Sequence, residues 1–285
     1  MVADLGGEQF GETQRHSISK QQIGGDLIRV IQKEFPAEWE SIDLYQIADL
    51  HIGDALFNHT MFYKFCQFLL EKENRFAVIN GDIINNNLVH GVGSPYEDIV
   101  SPNDQKREAK RMLSVIKDRI LALNIGNHEY RTKRLAGVDI GEEIAEHLGV
   151  PYGEEECFLK ISLGETIHSR KHNPRKHHYG VYLFHGCGGG SRPGQVLNKA
   201  EDLSRNILAD VYMIGHAHRR IGHKASFRYL DTRTNKITEM DQLYVVAAGW
   251  LEYGGYAIRK ALRPQVRGAK PVTFHGTHRE VTTII

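Results

Sequence analysis

Five short apolar runs, each closing on a polar or glycine residue, limit the fold most strongly: SIDLYQIA (41–48), RFAVIN (75–80), ILALNIG (120–126), VYLFHG (181–186) and DVYMIG (210–215). Apolar runs of about four to eight residues bounded by turn formers read as strands buried on both faces. Helical spacing fills the gaps between them. Met61, Phe65, Phe68 and Leu69 form one stripe, Ala109, Met112, Leu113 and Ile116 a second, and Ile140, Ile144, Ala145 and Leu148 a third, closed by Gly149 and Pro151. Ser101, which opens SPND, can cap a helix with Asp104 three positions later. Past residue 220 the helical period vanishes, and KASFRYLDTRTNKITEMDQLYVVAAG reads as strands joined by turns. The chain is expected to be α/β with a β-rich end.

With 285 residues, 41% hydrophobic and 25% charged, the chain can bury a real core as one large domain or one domain with an appendage. The first 25 residues lack a basic start followed by an apolar stretch, and no run approaches the roughly 18 apolar residues of a membrane helix. A soluble, cytoplasmic protein without a membrane partner is expected. Cys66, Cys157 and Cys187 are odd in number and widely separated, which points to neither a disulfide framework nor a thiolate zinc site. The net charge of +1 hides an asymmetry: residues 1–164 carry 17 Lys and Arg against 26 Asp and Glu, and residues 165–285 carry 19 against 9. SRKHNPRKHH (169–178) and HRRIGHK (218–224) are either a surface for a polyanion or solvated loops. His168, His172, His177 and His178, clustered in a polar stretch before the fourth run, read as solvated loop histidines.

Every one of the five runs ends in potential metal ligands, the position at which open α/β sheets place their sites. The first offers Asp49 and His51, which on extended backbone would point the same way. The second offers Asp82, the third Asn127, His128 and Glu129, the fourth His185, and the fifth His216 and His218. Burying so many Asp, Asn and His side chains in one cleft is costly without a compensating cation. A dinuclear metal site accounts for the pattern.

The five-part pattern Asp-x-His, Gly-Asp, Gly-Asn-His-Glu, His, Gly-His-x-His, spanning residues 49–218, resembles the calcineurin-like metallophosphoesterase superfamily. The resemblance implies a four-layer α/β/β/α sandwich of two mixed sheets, expected over residues 41–285; it leaves the first 40 residues unexplained, and these are expected to form an N-terminal extension, 1–40, with one helix packed on the core. It implies that Asp49, His51 and His218 hold one divalent metal, Asn127, His185 and His216 the other, and that Asp82 bridges them. Two metals about 3.5–4 Å apart would push a bridging water toward hydroxide and clamp an in-line displacement at phosphorus. His128, beside the ligands but not one of them, would protonate the leaving oxygen or stabilise charge there, and Glu129 would either orient His128 or make a surface salt bridge. The mixed oxygen and imidazole donors suit manganese, iron, zinc or nickel without choosing among them, and manganese is the first expectation.

Serine/threonine phosphoprotein phosphatases share the GNHE spelling, but GDIINNNLVHG lacks the arginine that follows their Gly-Asp, and DLHIG lacks their preceding glycine. The DNA-repair exonuclease branch is similar, and the basic second half suits a nucleic-acid backbone, although no coiled-coil segment or aromatic and basic tract for single strands is present. HGCGGGSRPGQVLNKAEDL and AAGWLEYGGYAIRKALRPQVRGAKPV resemble small phosphoesterases of phages and mobile elements. In the former, Gly186 and glycines 188–190 would let backbone approach a phosphate, with Arg192 as a clamp; Arg131 is a second candidate contact. The expected activity is hydrolysis of phosphodiesters in nucleic acid or a nucleotide. A phosphomonoesterase, with segment 85–103 governing access for a second ester substituent, and a non-catalytic scaffold are the alternatives.

Overall fold

A computed structural model describes residues 16–23, 26–89, 93–166, 175–186 and 192–284. In chain order, the elements of the first half are β1 (His16–Ile23), β2 (Asp26–Glu34), β3 (Ser41–Ile47), α1 (His59–Leu70), β4 (Arg75–Asn80), α2 (Pro102–Ser114), β5 (Ile120–Asn124), α3 (Asn127–Ala136) and α4 (Ile140–Leu148). The second half continues with β6 (Tyr152–Glu154), β7 (Glu156–Thr166), β8 (Arg175–Phe184), α5 (Pro193–Ser204), β9 (Val211–Ile214), β10 (Ile221–Asp231), β11 (Lys236–Val246), α6 (Gly255–Arg259), β12 (Pro271–His275) and β13 (Val281–Thr283). The three helical stripes read from the sequence are α1, α2 and α4. Ser101 caps α2 by accepting from the Asp104 N–H, and Gly149 closes α4 in the left-handed region at φ 68°.

The strands form two mixed sheets, with orders β13-β12-β3-β4-β5-β6 and β1-β2-β7-β8-β9-β11-β10. Three apolar layers separate four layers of structure. Phe62, Leu69, Met112 and Ile144 of the helices pack on Ile47, Ile79 and Leu123 on one face of the first sheet. Its other face, with Leu44, Phe76 and Leu121, meets Leu159, Val181, Met213 and Leu243 of the second sheet. Beyond that sheet, Ala200 and Leu197 of α5 cover Tyr182, Tyr212 and Tyr244. The arrangement is an α/β/β/α sandwich.

The N-terminal extension departs from expectation. Over its described residues it forms the antiparallel pair β1–β2 rather than a helix, and β2 runs parallel to β7, which leaves β1 at the sheet's edge. Residues 1–15 lie outside the described residues. On β2, Arg29, Ile31 and Lys33 alternate inward, so two of the three buried positions are cationic and no apolar alternation is visible in the sequence. Arg29 is compensated where it lies: it donates to the Tyr152 carbonyl at 2.8 Å and pairs with Glu154.

Two buried asparagines tie the sheets together beneath the strand ends. Asn80 closes β4 and donates to the carbonyls of Phe184 (3.2 Å) and Met213 (2.9 Å) on β8 and β9. Its cross-strand neighbour Asn124, closing β5, donates to the Leu183 carbonyl at 3.1 Å. The parallel strands β3, β4 and β5 of one sheet and β8 and β9 of the other therefore end side by side. No helix among the described residues is long and apolar enough to cross a membrane.

Candidate metal centre

The loops that leave these five strand ends converge. Asp49, His51 and His218 present one ligand atom each within 4.8 Å of one another, and Asp82, His185 and His216 form a second such group. A third, His51, Asp82 and His128, overlaps both. Asp49, His51, Asp82 and His185 are buried, whereas Asn127, His128, His216 and His218 are half-buried at the mouth.

The local backbone that aims these side chains is unusual. Asp49 (φ 55°), His51 (φ 50°), Asp82 (φ 50°), His216 (φ 64°) and His218 (φ 50°) all occupy the left-handed region. Asp and His enter it more readily than branched residues, at a cost of about 1–3 kcal/mol each. Asp49 and His51 thus reach a common point through a left-handed loop, not through the extended alternation expected of them. Hydrogen bonds hold these loops in place: Asp49 N–H donates to the Gly81 carbonyl at 3.1 Å, His51 N–H to the Asp82 carbonyl at 3.0 Å, and His216 N–H to the Asp49 carboxylate at 3.1 Å. Gly126 permits the close approach of the third loop, since a Cβ there would lie 2.1 Å from Asp82 Oδ1.

Glu129 is fully buried, and neither orients His128 nor lies in a surface ion pair. Its carboxylate accepts from the N–H groups of Asp82 (3.0 Å), Ile84 (3.0 Å) and Gly126 (2.9 Å), bracing two ligand loops against each other. Burial pushes this carboxyl up to about 7, with the Asp82 charge adding to the shift and the backbone donors opposing it.

Several buried donor atoms in the cleft lack partners. Asn127 Oδ1 and His185 Nε2 are buried without a hydrogen bond. His185 Nδ1 donates to the Asn80 carbonyl at 2.7 Å, which leaves Nε2, 3.1 Å from Asp82 Oδ2, to carry a proton or, in the neutral ring, a lone pair for a metal. His51 Nε2 and His218 Nε2 face each other at 3.1 Å. Two ring nitrogens this close, and an imidazole this close to a carboxylate, share a proton or hold a cation between them. Without a metal, protons take that role: burial opposes charge on His185, yet Asp82 and Asp49 push it up to about 10. Burial likewise opposes ionisation of Asp82, but His185 and His128 outweigh it and hold the carboxyl well below its usual range. Burial, His128 and His218 together keep His51 well below the ordinary imidazole value. A set of two carboxylates, several neutral imidazoles and one amide oxygen fits divalent metals.

The remaining expected site residues are placed as follows. His128 stands at the N-terminus of α3, its N–H donating to Asp82 Oδ1 at 3.0 Å and its Nε2 lying 3.7 Å from Asp82 Oδ2. Arg131, on the same helix, has its guanidinium hydrogen-bonded to His128 and to the 85–87 loop. Arg192 is exposed before α5, its backbone N–H donating to Gln195 Oε1 at 3.2 Å. Glycines 188–190, His168 and His172 lie outside the described residues. Sequence reading missed Asn80, Asn124 and the run Asn85 to Asn87; the signal available was an asparagine closing an apolar strand at two equivalent positions.

No protein-family model matches this chain, and no curated protein matches it. Among solved structures, it is similar to a conserved uncharacterised protein of Streptococcus pneumoniae TIGR4 described as a predicted phosphoesterase, at 12% identity over 86% of this chain and 89% of that one, with a TM-score of 0.33. It is similar to the Pseudomonas putida nuclease MPE, at 11% identity over 94% and 100% of the two chains, with a TM-score of 0.35. It is also similar to Chaetomium thermophilum Vps29, at 14% identity over 85% and 96%, with a TM-score of 0.36. Likenesses this distant transfer neither activity nor partner, so function has to be argued from the cleft itself.

Proposed function

We propose that this protein is a metal-dependent phosphoesterase that hydrolyses phosphodiesters of nucleic acid or a nucleotide, using two divalent ions, manganese foremost. The observation that carries the reading is the pair of three-residue ligand groups, Asp49, His51, His218 and Asp82, His185, His216; Asn127, the chain neighbour of His128, adds a buried and unpartnered Oδ1. Asp82, which faces both His51 (3.8 Å) and His185 (3.1 Å), is the residue suited to bridge the two ions. Bound there, the ions supply Lewis-acid activation of a phosphate ester and of water.

The chain's own residues supply orientation and charge. Asn80 and Glu129 fix the ligand loops. His128 donates from Nδ1 to the Asn85 carbonyl, which leaves Nε2 without a proton and facing the cleft, with the Arg131 guanidinium against it at 3.0 Å. Either role expected for His128, as acid or as stabiliser of charge on the leaving oxygen, first requires Nε2 to take up a proton and turn from the Arg131 guanidinium; in this tautomer the positive charge at that point is Arg131's own. The surplus of basic residues in 165–285 favours a polyanionic substrate.

The test is hydrolysis of a chromogenic phosphodiester and its monoester by manganese-loaded protein, with a chelator control and labelled single-stranded DNA in parallel. Chelator-sensitive cleavage of diester and DNA supports the proposal. Monoester turnover alone replaces it with a phosphatase, and inactivity on all three substrates argues for a scaffold.

A further inference from the structure

His128 Nε2 carries one lone pair, and two partners compete for it. The first is a cation: His51, Asp82 and His128 form a group whose ligand atoms lie within 4.8 Å of one another, with the His51 and His128 rings 4.5 Å apart edge to face. The second is Arg131, whose Nη2 donates to Nε2 at 3.0 Å. The tautomer is settled from the far side of the ring, because Asn85 offers Nδ1 a carbonyl that can only accept.

Arg131 is not free to leave this position at little cost. Its Nη1 donates to the carbonyls of Asn85 (3.4 Å) and Asn86 (3.3 Å) and to Asn87 Oδ1 (3.3 Å). The loop that supplies these acceptors is itself anchored by Asp98, which accepts from Asn85 Nδ2 (2.8 Å), Asn87 Nδ2 (2.7 Å) and Gln105 Nε2 (2.7 Å). Gln105 in turn accepts from Asn86 N–H at 2.8 Å. A guanidinium fork held by several acceptors keeps its geometry in a way that a lysine ammonium does not.

We infer that Arg131 is a positioning residue that holds the His128 Nε2 lone pair and thereby keeps His128 out of the metal ligand set. This rests on the metal-centre reading above. It gives the Asn85 to Asn87 run and Asp98 a purpose, as the frame that fixes Arg131. It also explains why a residue so close to Asp82 need not become another ligand: coordination would require displacing the guanidinium while bringing a second positive charge against it.

The experiment measures affinity for manganese and for zinc alone, by competition with a chromogenic chelator, in the unaltered protein, Arg131→Met, His128→Ala and the double variant. Zinc-loaded, 15N-histidine-labelled protein is examined by NMR in parallel. Arg131→Met is expected to bind metal about tenfold more tightly or better, roughly 1.4 kcal/mol. The gain should vanish in the His128→Ala background, and the His128 Nε2 resonance should move to a metal-bound position. An equal gain in both backgrounds would show that only charge was removed and would overturn the inference, as would no gain at all. Should Arg131→Met fail to fold, Arg131→Lys, which retains the charge without the fork, is read by the same criteria. Failure of the unaltered protein to bind either ion would instead refute the metal-centre reading, a result distinct from binding that is indifferent to Arg131.

Discussion

Asn80 provides a direct test of how the centre is assembled, because it connects the sheet that carries Asp49 and Asp82 to the strands that lead to His185, His216 and His218. Replacing it with alanine leaves the Phe184 and Met213 carbonyls buried without their side-chain donor. Each buried group left unsatisfied costs about 1–3 kcal/mol, toward the lower end for carbonyls. Removing Asn80 Oδ1, itself buried without a partner, returns part of that, for a net loss of about 2–3 kcal/mol. With an unfolding entropy near 2.1 cal/mol/K per residue over 285 residues, this corresponds to a melting temperature lower by about 3–5 °C. Asn124→Ala breaks one carbonyl contact, at 3.1 Å, and should cost about half as much. Scanning calorimetry of the metal-free proteins measures both losses, and chelator competition should show weaker metal binding for Asn80→Ala. If Asn80→Ala melts within 1 °C of the unaltered protein and binds metal equally well, the cross-sheet tie is not what aligns the two ligand groups.

Three further outcomes are expected. His128→Asn should retain its metal by elemental analysis while turnover falls about 10²–10⁴-fold, and undiminished turnover would refute its role. Asp82→Asn should lose at least one metal ion; full retention would argue against bridging. Burial opposes ionisation of Asp139, but the Tyr152 hydroxyl, the Glu142 N–H and Lys133 hold its carboxyl below the usual range. Because the folded value is depressed, the stabilisation is complete above the ordinary carboxylate value and lost as pH falls through the folded one. The stability advantage over Asp139→Asn, about 1 kcal/mol near neutrality, should therefore shrink only below about pH 4, as followed by thermal melts.

The candidate ligand positions were legible because buried parallel strands announce themselves as apolar runs and their ends as polar interruptions. The same logic failed at β2, where Arg29 and Lys33 face inward and erase the alternation. It failed again for the left-handed loops, since Asp and His have no spelling that separates φ near 50° from extended backbone. Glu129 could not be distinguished from a surface acid because two of its three backbone N–H partners come from a loop 45 to 47 residues away. Asp98 was opaque for a related reason: its role depends on folding of segment 93–103 against Asn85 and Asn87.

The left-handed ligand residues also bear on how this protein would change if its activity were no longer selected. At Asp49, His51, Asp82, His216 and His218, glycine would relieve backbone strain, and at the two aspartates it would also remove buried like charges. Retaining a side chain at these positions favours binding at the expense of the bare fold. A lineage that abandoned metal could therefore gain stability by losing these residues, and erosion toward glycine should begin at the centre of the cleft, well before the cores of the two sheets begin to drift.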